Sequence, residues 1–210
     1  RQRQMCKETD RILDSCKDKD CFSDVRVYLT EFGQELIDKS AAIRVKSTKI
    51  VGVNIDTEPV QFNRGFYQIL IRFYVRITCE CCVNIGRAQE FEGIAVCDKK
   101  VILYGSEGNV NIFKSCPSCD FCSPVPEGSA TTNLPTVVVE TVDPIALSMQ
   151  ITEKDCATPL DRIPEVPANI LAAFPEELVL TDSNRLWYAT LGQFSLIRLE
   201  RDSQLVIPVY

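Results

Sequence analysis

A single register of alternating residues runs from Ile69 to Asn84. Ile69, Ile71, Phe73, Val75, Ile77, Cys79, Cys81 and Val83 fall on one face, and Arg72, Arg76, Thr78, Glu80, Cys82 and Asn84 on the other. Period two marks a half-buried strand, and β-branched and aromatic side chains suit that pleated surface. A run from 69 to 83 is far longer than the ~5–6 residues of an ordinary strand. It demands a large sheet, bent or shared. The expectation is therefore a mainly β protein: sandwich-like antiparallel sheets with a few short helices and a Cys/Pro-rich loop.

Shorter signals surround this strand. Met5, Ile12, Leu13 and Cys16 give a partial helical stripe, which predicts a short helix over 5–16. The charged stretch from Cys16 to Cys21 then reads as a solvated turn. As a calcium loop starting at Asp18 it lacks the glycine at position 6 and the glutamate at position 12. Alternation resumes at Val25, Val27 and Leu29. A helical or turn piece follows near Gln34–Lys39, then a strand through Ile43, Val45, Val51, Val53 and Ile55 that Pro59 ends. Phe91–Cys97 and Val101–Tyr104 read as two strands, and Gly105 to Gly108 as a turn into Val110–Lys114.

The chain changes character after Lys114. Ten of its 11 prolines lie at or beyond Pro117. The expected organisation is an N-terminal arm plus β domain over 1–114, a Cys/Pro-rich connector over 115–135, and a second β-rich region over 136–210. In that last region Val137–Val142 and Ile145–Thr152 read as strands and Ala168–Phe174 as a short helix. Trp187–Arg201 and Leu205–Tyr210 read as a strand pair.

The 210 residues contain 11 cysteines and no histidine. A chain this long builds a core without staples, so the thiols need a separate reason. Without histidine there is no Ser-His-Asp or Cys-His pair, and no phosphate-cradling glycine motif appears. Catalytic residues and cofactors are accordingly expected to be none. A net charge of −6 argues against nucleic acid as the main partner and against an anionic membrane surface. Arg1 to Gln4 lead into charged sequence rather than an apolar run, so no secretory signal is read. The lack of an initiator Met and the stop at Tyr210 within an apolar stretch suggest that both ends continue.

Two residues separate Cys116 from Cys119 and Cys119 from Cys122. That spacing admits zinc or an iron–sulfur cluster, with Cys156 or Cys97 as the fourth ligand. The residue where an iron–sulfur run would place its next cysteine is Val125, and a second ligand pair is lacking. The preferred reading has no metal and treats these thiols as cross-linkable. On the long strand, Cys79 and Cys81 share the apolar face, where cysteine acts as a small hydrophobe, and Cys97 joins them as a buried thiol. Cys82 faces the polar side. The cross-link candidates are Cys82, Cys116, Cys119, Cys122 and Cys156, with Cys6, Cys16 and Cys21 on an N-terminal arm able to reach a neighbour. An odd count leaves at least one thiol for pairing between chains.

Asp10 through Leu29, Tyr188 through Arg201, and Leu205 through Tyr210 resemble cysteine-rich spore-surface proteins of anaerobic clostridia, the exosporium and coat class. The resemblance covers both ends and, in style, the cysteine-rich middle. It implies a structural role with no enzyme activity: a protein that self-assembles into a two-dimensional protective layer around the endospore, reinforced by disulfides. Its partners would be itself, as a homo-oligomer and extended lattice, and other spore-surface proteins. Synthesis would be in the mother-cell cytoplasm, with assembly at the spore surface. A cysteine-containing tail often follows in such proteins, which again implies a sequence that continues. Two other readings stay open: a cysteine-ligated metal module, and an extracellular disulfide-rich adhesion domain.

Overall fold

The computed structural model describes residues 3–39, 43–81, 88–106, 134–153, 164–181 and 183–209, with residues 3–8 and 204–209 described by their backbone. Among the described residues nine elements follow in order: β1 (Arg3–Leu29), α1 (Glu31–Lys39), β2 (Ile43–Pro59), β3 (Phe66–Cys81), β4 (Gln89–Tyr104), β5 (Thr136–Thr141), β6 (Ile145–Glu153), α2 (Ala168–Leu171) and β7 (Arg185–Val209). The mainly β, antiparallel expectation holds.

All seven strands belong to one sheet in the order β2-β3-β4-β1-β7-β5, with β6 on β7 beside β5. The sheet curls until it is nearly closed and barrel-like. Its two ends meet where Thr48 Oγ1 donates to the Pro144 carbonyl and Ile50 N–H donates to Asp143 Oδ1 at 2.9 Å. Register shifts at Val45/Ser47, Ile50/Gly52, Phe22/Val25 and Ala146/Ser148 supply bends. Bulges of this kind increase twist and let a long sheet turn corners. The division into two stacked sheets of a sandwich is not confirmed.

β3 follows the alternation in the sequence. Ile69, Ile71, Phe73, Val75, Ile77, Cys79 and Cys81 are all buried on the concave face. Trp187, Ala189, Leu191, Ile197 and Leu199 of β7 face them, with Val27, Leu29, Phe91, Ala95 and Leu103 from the intervening strands. Tyr74, Tyr28 and Ile94 point to the convex face instead. There Ile170, Phe174 and Leu178 from the segment around α2 cover them as a second, smaller core. Gly52 makes this close approach feasible, since a Cβ there would come within 2.8 Å of Ile170. Thr30 starts α1: its Oγ1 accepts from Gly33 N–H at 3.3 Å, the geometry of an N-cap.

Four local expectations are corrected. Residues 5–16 are not helical, and Cys16 to Cys21 is not a turn; both lie inside β1. Phe91–Cys97 and Val101–Tyr104 are one strand, β4, and the terminal strand pair is the single strand β7. The physical reason is the partner. β1 pairs with β7 from Arg3 opposite Val209 to Val27 opposite Trp187. β7 alternates buried and half-buried residues throughout Trp187–Glu200 and so imposes strand geometry on a sequence with little apolar alternation of its own. Tertiary context overrides weak local preference. At ~3.3 Å per residue the two strands form a ribbon roughly 85 Å long.

Candidate functional site: thiols and a charged seam

Cys82, Cys116, Cys119, Cys122 and Cys156 lie outside the described residues, as do the 115–133 part of the connector and Val110–Lys114. Cys6 sits in β1 opposite Val206. The other five thiols are free and fall into two groups.

Cys79, Cys81 and Cys97 are buried on the concave face. Cys79 lies opposite Phe91 on β4 and Val45 on β2, and Cys97 lies opposite Phe73. Burial disfavours the thiolate, which pushes the Cys79 thiol well above its ordinary value. Cys97 is pushed up to about 12, chiefly by burial, with neighbouring Asp98 adding to it. Thiol chemistry runs through the thiolate, so both are inert core residues.

Cys16 and Cys21 sit on opposite faces of β1. Cys16 is half-buried and packs against the core. Cys21 is exposed, its Sγ 3.9 Å from Ser23 Oγ. Of the described thiols, Cys21 is the most open to chemistry from outside. Among the described residues no group of three or more Cys, Asp and Glu could hold a metal ion.

The strand geometry of β1 brings together a cluster that the sequence reading missed. On an extended backbone Asp18 and Asp20 face the concave side, while Lys17 and Lys19 face out; Lys17 lies over the Phe194 ring, 5.5 Å from its centroid. Lys99 projects from β4 into the same space and is 7 % exposed. Its Nζ donates to Asp20 Oδ2, to Asp18 Oδ2 at 3.1 Å and to Ser195 Oγ at 3.3 Å. Lys99 holds the Asp18 carboxyl below the usual carboxylate range, first through that hydrogen bond, with help from the Lys19 N–H. The sequence did carry a signal: Lys-Asp-Lys-Asp over 17–20 alternates charge with period two, so a strand there would segregate the acids on one face.

The convex face carries a second polar feature. Arg26 lies between the Tyr28 and Tyr188 rings, 5.5 and 5.7 Å from their centroids. Its Nε is buried without a hydrogen-bond partner among the described residues. Beside it opens a cavity of about 560 Å³ lined in part by Asp24, Arg72, Asp98 and Glu165. Arg72 is held there by a two-pronged pair to Asp98, at 2.7 and 2.9 Å.

No family model, curated protein or solved structure matches this chain. Among the described residues no helix is long and apolar enough to cross a membrane.

Proposed function

We propose that this chain is a structural protein that self-associates into a two-dimensional layer at the bacterial endospore surface, exosporium or coat, and is reinforced there by disulfides. The reading has the protein made in the mother-cell cytoplasm and partnered by itself and by other spore-surface proteins. The observation that carries it is the combination of Cys21 and the edge on which it sits. Beyond Val27–Leu29, β1 has ladder partners among the described residues on its β7 side alone. Side chains tie part of its other edge to β4, at Asp14 and at Asp18 and Asp20; the rest of that edge is the kind of template on which a second chain pairs. Cys21 stands exposed on that strand.

Two further points support the reading. The segments that resemble clostridial spore-surface proteins are the two strands of the long β1–β7 ribbon, so the likeness falls on one physical unit. Val142, Ile145 and Leu147 are 57–68 % exposed at the β5–β6 corner, and apolar side chains clustered on a surface mark contact sites. Non-covalent contacts would set a symmetric arrangement, and oxidation outside the reducing cytosol would then lock it.

The test is a gel run without reductant on protein assembled and then oxidised. A ladder of multimers that collapses on reduction, and that loses rungs in Cys21→Ser, supports the reading. A discrete monomer under both conditions points to the adhesion-domain alternative. Stoichiometric metal whose removal unfolds the protein points to the metal module.

A further inference from the structure

Beyond Val27 opposite Ala95 the ladder between β1 and β4 stops. Along the rest of that seam the strands are joined by side chains. Tyr104 N–H donates to Asp14 Oδ2 at 2.9 Å, and Lys99 reaches Asp18 and Asp20. The Lys99 contact is built into the interior. Ile71, 1 % exposed, lies opposite Lys99 on β3. Ser195, fully buried, accepts the third hydrogen bond from Nζ. Side-chain exposure is 5 % for Lys99 and 20 % for Asp20.

We propose that Lys99 and Asp20 become joined by a covalent amide bond, formed by the folded chain itself, with Asp18 relaying the proton. An amine and a carboxyl held in contact react as one molecule, and such fixed geometry substitutes for a very high concentration of either. Withdrawing two charges from water is unfavourable; condensing them to a neutral amide removes both charges from the interior. Asp18 stays a carboxylate because Lys99 and the Lys19 N–H hold its acidity high, and it lies within reach of the same nitrogen.

The step balances without an outside reagent. The Lys99 ammonium passes one proton to the Asp20 carboxylate. The freed Nζ lone pair attacks Asp20 Cγ, forming the N–C bond and a tetrahedral centre. Asp18 takes a second proton from nitrogen and delivers it to the departing oxygen. The Cγ–O bond breaks, water leaves, and Asp18 ends as it began. The product is a cross-link between β1 and β4 where the backbone ladder is missing. This inference does not depend on self-assembly, and its test is blind to it.

The experiment is intact-mass spectrometry of the full chain, reduced and denatured after folding. The expected mass is lower than that of the sequence by one water, and fragmentation yields a branched peptide joining the Asp20 and Lys99 segments. Trypsin then fails to cut after Lys99. Lys99→Arg keeps the charge and carries the full mass. Asp18→Asn forms the bond roughly a hundredfold more slowly or worse, the scale of a lost general acid–base group. Two results overturn the proposal. One is the full sequence mass in wild-type protein whose buried cysteines resist alkylation, which shows that it is folded. The other is a lost water that maps to a single unbranched peptide, the mark of a cyclised aspartate.

Discussion

Alkylating the native protein should divide its described thiols sharply. Cys97 is raised from an ordinary 9.0 to about 12. At pH 8, below both values, each unit cuts the thiolate fraction tenfold, so Cys97 carries about a thousandfold less thiolate than an ordinary thiol. Burial adds a second barrier, since reagent reaches Cys97 only when the concave face opens, and opening of a core strand approaches the cost of global unfolding. Cys79 is raised further still by burial. The assay is a timed pulse of N-ethylmaleimide, a quench, then peptide mapping by mass spectrometry. Cys21 is expected to label in the first pulse. Cys79 and Cys97 are expected to label in denaturant, with native rates lower by at least that thousandfold, and buried Cys81 is expected to label when the concave face opens. Native labelling of Cys97 within tenfold of Cys21 would refute the placement of β4's concave face.

The same shifts predict alkaline instability. A thiol raised by folding stays protonated in the native state while its unfolded counterpart ionises. Stability is therefore full below about pH 9 and falls as pH rises towards 12, by at most about 4 kcal/mol for Cys97; denaturant melts across that range would show it, and a flat profile would count against it. Phe73→Ala deletes a fully buried ring at the centre of β3 and should cost roughly 3–5 kcal/mol in a urea titration. Gly93→Ala places a Cβ 2.9 Å from the Tyr28 carbonyl and 2.7 Å from Leu29 Cδ2. Backbone cannot yield as a side-chain tip can, so a loss of about 1–3 kcal/mol is expected by the same titration.

The parts legible in the sequence are those whose own residues carry the period. β3 could be read face by face because every second residue from Ile69 to Cys81 is apolar. β2 and the short strands near Val137 and Ile145 were legible as strands, but not face by face in β2 and β6, where register shifts change which residues turn inward. β1 was opaque because its concave face carries Asp18 and Asp20 beside Cys16 and Phe22, so neither face looks like a core. Its structure is written in β7, nearly the whole chain away, and a local reading cannot see that pairing. The Lys99 cluster was hidden for the same reason: it exists because Asp18 and Asp20 share a strand face. The burial of Cys79, Cys81 and Cys97 followed from alternation. The accessibility of Cys21 did not, because it depends on the face of β1 and on which of its edges is covered.

The most direct measurement of the central claim is electron microscopy of the purified chain, before and after reduction. Ordered two-dimensional sheets are expected that survive denaturant after oxidation and disperse when a reductant joins it. Separate single molecules in the images at every concentration, oxidised or reduced, would contradict it.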